Sequence, residues 1–227
     1  MDRAVSGARR VARAPRRAPR RDRVIERTRH DILEAAARAF AKSSARVTMK
    51  DIATEAGYTA ASLYSYFESK EEIFAALAQL LQEELMATFD EKLPKGLSFA
   101  QRLEILLRRQ LELADRRRAA FGVFFTTSEA TPLHAMGARC PALGRGGRHK
   151  AGFDAYVERL ARWIRAAGKE CAIGVHNPDD LARALTGISR AFFFEWLMLE
   201  QRHRLADLAP LVLELFLYGA LGGRTTK

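Results

Sequence analysis

Apolar residues recur every three or four positions along most of this 227-residue chain, the spacing that places them on one face of an α-helix. No segment shows the alternation of apolar and polar residues that indicates a β-strand. The apolar stripes cover residues 32–40, 73–89, 103–111, 119–125, 153–164, 181–199 and 208–216. With two short helices between the first two stripes, the pattern predicts an all-α protein of about nine helices without internal repeats.

Capping residues mark several of the helix starts. Two pairs have the three-residue spacing of a capping box, Ser69 with Glu72 and Ser98 with Gln101. Asn177 is followed by proline and two aspartates, which is typical of a first helical turn. Residues 131–148 contain two prolines and four glycines, so a loop is expected there.

The most informative segment is residues 48–67, TMKDIATEAGYTAASLYSYF. Thr48 can cap a first short helix, with a carboxylate three residues on, near the free N–H groups of that helix. Gly57 can adopt the left-handed backbone conformation that ends a helix. Thr59 can cap a second short helix, on which Leu63 points to the core. Two short helices joined by a tight turn form a helix-turn-helix, so DNA is the first partner to consider.

Small side chains lie on or near the outer side of the second helix: Thr59, Ala60, Ser62 and Ser65. Such side chains let a helix backbone enter a major groove about 12 Å wide, with hydroxyl groups free for phosphates or base edges. Tyr64, Tyr66 and Lys70 add donors suited to phosphate oxygens. The segment therefore predicts a DNA-contacting surface.

Residues 48–71 resemble the N-terminal signature of the TetR family of bacterial transcription regulators, through the pattern T-x-x-D-I-A-x-x-A-G-Y-T-x-x-S-L-Y-x-Y-F-x-S-K-E. The resemblance covers roughly residues 25–85. It implies phosphate contacts by Thr48, Thr59, Ser62, Tyr64, Tyr66 and Lys70, with Ala60 and Ala61 facing bases. Two positions depart from the family pattern, because Tyr58 replaces a small aliphatic residue and Ala61 replaces a frequent glycine.

The length suits one small DNA-binding unit and one larger helical unit. We predict a disordered arginine-rich arm over residues 1–23, a helix-turn-helix domain over 24–85, and an effector-binding and dimerisation domain over 86–227. The alternative is a three-helix fragment within another kind of helical protein. The coincidence of caps, glycine turn and aromatic-lysine ending disfavours that alternative.

The formal net charge of +11 is concentrated at the N-terminus, where residues 1–23 contain nine arginines and two aspartates. With two prolines and little to bury, this arm is expected to be disordered alone and to neutralise phosphates or lie in a minor groove of DNA. An arginine-rich, acid-poor N-terminus is also typical of a transit peptide or of a start codon placed too early.

The last two helices are apolar around most of their circumference, and a helix of that kind needs cover on every side. A second subunit would supply the cover, and the family resemblance implies a four-helix dimer interface. The candidate interface residues are Phe192, Trp196, Leu211 and Leu215. The alternative is an ordinary two-sided contact within one subunit.

Aromatic residues in the middle of the chain are candidates for a ligand pocket: Phe121, Phe124, Phe125, Tyr156 and Trp163. They lie in helices that the family uses for effector binding, although single aromatic residues are more often part of a core.

No catalytic or metal-binding pattern is present. The five histidines lack zinc spacing, and no phosphate-binding glycine loop or nucleophile elbow occurs, so neither an enzyme nor a metal or cofactor is expected. No apolar run reaches about 18 residues, and Cys140 and Cys171 are too few for a disulfide framework, so we expect a reduced, cytoplasmic protein without a membrane span. Cys140 lies near two arginines, as a redox-sensing thiol would, but we favour an inert, solvent-exposed thiol.

The sequence thus predicts a dimeric repressor that binds a palindromic operator and releases it when a small apolar or amphipathic molecule enters the C-terminal domain. The alternative is a nonspecific DNA-compacting protein dominated by the basic arm.

Overall fold

The computed structural model describes residues 20–43, 47–121, 147–167, 176–199 and 203–221. These ranges contain helices and no β-strand, so the all-α prediction is confirmed. In chain order the helices are α1 (Arg20–Ser43), α2 (Met49–Ala56), α3 (Ala60–Tyr64), α4 (Lys70–Ala87), α5 (Phe99–Arg116), α6 (Gly147–Ala167), α7 (Pro178–Met198), a 3-10 helix (Leu205–Leu208) and α8 (Ala209–Leu221). A further helical stretch begins at residues 118–121.

Helix α1 begins earlier than the sequence suggested. Arg20 is its first residue, so the last four residues of the predicted disordered arm are helical. Asp22 lies in the first turn, where a carboxylate favours the helix, and arginine itself has a high helix propensity. The rest of the predicted arm, residues 1–19, lies outside the described ranges, as do Cys140 and Cys171.

The capping predictions are confirmed at most positions. Ser98 and Gln101 form a reciprocal capping box, and the Asn177 side chain accepts the Asp179 N–H at 3.0 Å. The box predicted at α4 is only half formed. Ser69 accepts the N–H of Glu72, whereas the Glu72 carboxylate accepts the N–H of Glu68 at 2.6 Å rather than that of Ser69.

Two hydrophobic clusters hold the helices together. The first packs α1 to α4 around Ile32, Ile52, Leu63 and Ile73. The second packs α5 to α8 around Leu103, Leu160, Ile164 and Leu185. Phe121 packs against both clusters, so the segment after α5 is where they meet. The domain boundary at residue 85 stays a prediction. Within the described ranges, no helix combines the length and the apolar character needed to cross a bilayer.

Candidate nucleic-acid interface

The turn between α2 and α3 has the predicted geometry. Gly57 has φ 74°, the left-handed conformation that few residues other than glycine adopt readily. The N–H of Tyr58 donates to the Ala53 carbonyl at 2.8 Å, which is the six-to-one bond of a Schellman motif. These bonds satisfy the last carbonyl groups of α2 and set the angle at which α3 leaves it.

Thr48 and Asp51 close the other end of α2. The backbone N–H and the hydroxyl of Thr48 both donate to the Asp51 carboxylate, at 2.8 and 2.7 Å. These hydrogen bonds, first the one from the hydroxyl and then the one from the backbone, hold the pKa of Asp51 below its ordinary value. Both donors of Thr48 are therefore committed to the cap, which makes Thr48 a less suitable phosphate donor than the sequence suggested.

Replacing Thr48 by valine is expected to raise the pKa of Asp51, because the hydroxyl donor is lost. Asp51 has a lowered folded-state pKa, so it adds stability above its unfolded-state pKa and loses that contribution as the pH falls through the folded value. NMR titration of the Asp51 carboxyl measures the shift. Thr48→Ser keeps the donor and serves as the control; an equal pKa in the valine variant would contradict the assignment.

Helix α3 turns its small polar residues outward. Leu63 is fully buried, whereas Thr59, Ala61 and Ser62 are exposed and Ala60 is half-buried. The Thr59 hydroxyl accepts the Ser62 N–H at 3.1 Å, and the two hydroxyl groups are 2.9 Å apart. One hydroxyl of this pair donates to the other, so one hydroxyl proton stays available to an external acceptor.

The other predicted donors lie at the end of α3 and just after it. Tyr64 is 54% exposed. Tyr66 is half-buried and its ring packs against Tyr58, with 6.5 Å between centroids. Lys70 is half-buried in the first turn of α4. The predicted donors thus lie within a short stretch of chain beside α3.

Arg29 of α1 contacts the segment that follows α3. Its guanidinium donates to the Tyr66 carbonyl and lies 4.1 Å from the centre of the Phe67 ring. It also makes a hydrogen bond of 3.5 Å with Glu72 at the start of α4. Local spacing in the sequence does not predict this role of Arg29, because its partner Tyr66 lies 37 positions away.

A second set of ion pairs joins α1 to α2. The Glu55 carboxylate binds Lys42 at 2.7 Å and Arg38 at 3.0 Å, and these hydrogen bonds lower its pKa. The first residues of α1 approach the other side of the helix-turn-helix. Arg21 lines an open groove of about 710 Å³ together with Ser65 and Tyr66, so the start of α1 lies beside the predicted DNA contacts.

The start of the segment after α5 ties the two clusters together through Arg117. Its guanidinium binds Glu84 of α4 through two nitrogens, one of them at 2.8 Å, and also binds Glu34 of α1. The paired carboxylates raise the pKa of Arg117, Glu84 first. The next residue, Arg118, lies 4.2 Å from the centre of the Trp196 ring. One short stretch therefore contacts α1 and α4 of the first cluster and α7 of the second.

The predicted ligand-pocket residues occupy separate places. Tyr156 packs against Phe89 (centroids 5.6 Å apart), Trp163 against Phe99 (5.9 Å) and Phe121 against Phe193 (5.3 Å). Phe124 and Phe125 lie outside the described residues. The three described residues have different aromatic partners and all pack against the second cluster, so the ligand pocket stays a prediction.

Tyr156 belongs to a chain of hydrogen bonds. Its hydroxyl donates to the Gln110 side-chain carbonyl at 2.8 Å, and the Gln110 amide donates to the Thr88 hydroxyl at 3.3 Å. Thr88 in turn donates to the Leu85 carbonyl at 2.7 Å. Burial raises the pKa of Tyr156, so its hydroxyl stays protonated and keeps its donor role.

The predicted interface residues fall into two groups. Leu211 and Leu215 are 41% and 47% exposed on α8, where Tyr218 continues the same face. Phe192 is half-buried. Trp196 is placed differently from the prediction: it is only 3% exposed within one chain, and its indole N–H donates to the His203 carbonyl at 2.9 Å. Trp196 therefore has little surface left for a partner to cover.

Comparisons with known proteins agree with this geometry. Residues 32–77 match the sequence profile of the bacterial regulatory proteins of the tetR family. The HTH-type transcriptional repressor KstR2 of Rhodococcus jostii (strain RHA1) is 31% identical over 97 residues, which are 42% of this chain and 48% of that protein. The chain thus spans about half the length of this relative.

Two further comparisons extend beyond the helix-turn-helix. The uncharacterized HTH-type transcriptional regulator Rv1255c of Mycobacterium tuberculosis (strain H37Rv) is 31% identical over 139 residues, 59% of this chain and 68% of that protein. The fatty acid degradation regulator FadR from Bacillus halodurans has a TM-score of 0.69 at 15% identity, over 88% of this chain and 97% of that chain, and shares the fold. The capped helix-turn-helix, the profile match over it and the mycobacterial relative together show that the chain belongs to the TetR family of bacterial transcription regulators.

Proposed function

We propose that the protein is a dimeric repressor that binds a palindromic DNA operator through α3 and releases it when a small amphipathic molecule binds among α5 to α8. The observation that carries the proposal is the short helix α3, in which Leu63 is buried while Thr59, Ser62 and Tyr64 are exposed. Such a helix fits a major groove, and two copies bind when their spacing matches one DNA turn, about 34–36 Å.

Selection of bound sequences from a random duplex library tests this function. A repressor of this kind should enrich one palindrome, and footprinting on it should show a bounded protected region. Uniform protection without enrichment would instead support a nonspecific DNA-compacting protein and would contradict the proposal. The family membership favours the regulator.

The first DNA-binding prediction concerns Tyr64 and Lys70. Tyr64→Phe and Lys70→Ala should weaken binding to all duplexes to a similar degree, because phosphate contacts carry no sequence information. The lysine change should also lower the salt slope of binding by about one unit. Titrations at several salt concentrations measure both effects. Lys95→Ala, an exposed lysine before α5, is the matched control; a Lys70 variant with the slope of the parent would exclude Lys70 from the interface.

The second concerns the arm. Deleting residues 1–19 should lower affinity for the selected and for random DNA by similar factors, strongly at low salt and little at high salt, because six arginines are removed. A variant with those arginines replaced by lysine is the control. If the lysine variant binds both kinds of DNA as tightly as the parent, the arm acts through charge alone. A loss of sequence preference in the lysine variant would show that the guanidinium groups read groove shape.

The proposed dimer interface is the exposed face of α7 and α8. On α8 this face contains Leu211, Leu215 and Tyr218, and on α7 it contains small exposed residues, Ala184, Gly187 and Ala191. A Cβ added at Gly187 would meet nothing within 4 Å, so the surface is open to the close approach of another helix. Trp196 is left out of this interface because it is buried in its own subunit.

The proposed route from effector to DNA runs through Arg117. Its partners Glu34 and Glu84 lie on α1 and α4, which support α3, while the following residues contact α7. An effector that favours another position of this segment would shift the two recognition helices away from the spacing that the operator requires.

A further inference from the structure

Arg190 of α7 is a half-buried cation whose one contact among the described residues is the face of an aromatic ring. Its guanidinium carbon lies 5.1 Å from the centre of the Phe153 ring of α6. No carboxylate and no hydrogen-bond acceptor of the described part of the chain binds it, in contrast to Arg117, which binds two glutamates. Burial alone lowers the pKa of Arg190, with no opposing effect from a nearby acid.

Arg190 lies beside a part of the second hydrophobic cluster. One turn before it on α7, the Thr186 hydroxyl donates to the Ala182 carbonyl at 2.6 Å and makes no hydrogen bond with Arg190. Phe193 follows on the same helix, and Phe153 is part of the apolar packing around the second cluster. A guanidinium stays charged at any physiological pH, so its desolvation here requires compensation.

The stacking on Phe153 supplies only part of that compensation. A cation above an aromatic ring is attracted by the negative face of the ring, but this uses the flat face of the guanidinium. The five N–H groups point outward in the plane, and they are spaced to bind two oxygens of one carboxylate or phosphate at once. The N–H edge of the Arg190 guanidinium is therefore a candidate anion-binding site beside an apolar surface.

We propose that Arg190 binds the anionic head group of the effector, a carboxylate or a phosphate ester. The apolar body of that molecule packs against the Phe153 ring and the part of the second hydrophobic cluster beside it. This inference rests on the proposed function, since it specifies the class of the effector as an anionic amphipath. The position also explains how the binding of such a ligand would be transmitted to α4. Gly152, the neighbour of Phe153, accepts a hydrogen bond of 3.1 Å from Gln82 of α4.

Calorimetric titration of the full chain with three ten-carbon probes tests the proposal: decanoate, decyl phosphate and uncharged decanol, all below the concentration at which they form micelles. The parent should bind at least one anion more tightly than decanol, and comparison of the two anions tells which head group the site prefers. Arg190→Gln should weaken anion binding about 10- to 100-fold and leave decanol unchanged, as expected for a lost charge-assisted bidentate bond.

Two variants complete the design. Arg190→Lys keeps the charge without the fork of donors, so it should recover only part of the affinity. Arg183→Gln removes an exposed arginine from the same helix and should change nothing. Equal binding of anions and decanol, no binding of either anion, or an Arg190→Gln variant with the affinity of the parent would overturn the proposal.

The same samples separate this proposal from the function on which it rests. Sedimentation of Arg190→Gln detects the case in which Arg190 pairs with a carboxylate of a second copy. The dimer would then weaken while the affinity for decanoate stayed the same. That result would also overturn the proposed anion site. DNA binding by the parent is measured in parallel. If the parent binds DNA sequence-specifically but binds neither anion, the proposed repressor function is supported and only the inference about Arg190 is refuted.

Discussion

Replacing Leu215 by glutamate is expected to convert the protein into a folded monomer with a far weaker hold on its operator. Leu215 is 47% exposed in the single chain, so a charge is tolerated there as long as no partner covers it. At the centre of a dimer interface the same charge must be buried unpaired, at a cost of several kcal/mol. A monomer engages one half-site alone, so affinity should fall by roughly the 10²–10⁴ that linkage of two half-sites provides.

Sedimentation and a DNA titration on the same sample measure both parts of this prediction. Leu215→Met keeps an apolar side chain of similar volume and should remain dimeric with the affinity of the parent. A folded monomeric Leu215→Glu variant that bound the palindrome as tightly as the parent would refute the two-fold mechanism. A variant that stayed dimeric would refute only the position of the interface.

Removing the charge of Arg117 is the second substitution for which we expect a large effect, on both stability and operator affinity. Arg117→Met leaves the carboxylates of Glu34 and Glu84 facing each other without their shared cation, and hydrogen bonds to charged groups are worth about 1.5–3 kcal/mol each. We expect the free energy of unfolding, measured in urea, to fall by about 1.5–3 kcal/mol in this variant. Operator affinity should fall at least tenfold, because α1 and α4 would no longer hold α3 at a fixed angle.

A triple variant separates the charge of this cluster from its geometry. Arg117→Met combined with Glu34→Gln and Glu84→Gln removes every charge, so most of the stability should return. Operator affinity should stay low, since the amides and methionine do not reproduce the fixed geometry of the ion pairs. Full recovery of affinity in the triple variant would show that repulsion, and not position, caused the loss.

Local rules of the sequence predicted the helix-turn-helix in detail. The caps at Thr48 and Thr59 and the turn at Gly57 depend on residues within a few positions of each other, and all three have the expected geometry. The start of α1 was missed because a run of arginines suits both a disordered tail and a first helical turn. The spacing of apolar residues also could not tell which side of α7 faces its own core, so Trp196 was assigned outward although it is buried.

Contacts between distant parts of the chain were beyond the reach of the sequence. Arg29 meets the Tyr66 carbonyl across 37 positions, and Arg117 meets Glu34 across 83. Each of these side chains looks like an ordinary exposed charge in the sequence, because nothing local distinguishes it. The same holds for Tyr156 and Gln110, where an expected pocket residue forms part of a buried hydrogen-bond chain.

That chain has a single polarity. Every bond from Tyr156 through Gln110 and Thr88 to the Leu85 carbonyl runs donor to acceptor in the same direction. The two ends of an amide differ, each hydroxyl has one proton and the final carbonyl only accepts, so a reversal at Tyr156 would pass along the chain and break its last bond. If an acceptor took the place of the Tyr156 hydroxyl, the Gln110 amide would turn over and Thr88 would have to donate to it. The Leu85 carbonyl would then keep only its bond from the Thr88 backbone N–H, at 3.3 Å. The end of α4 is therefore sensitive to whether the group at position 156 donates or accepts a hydrogen bond.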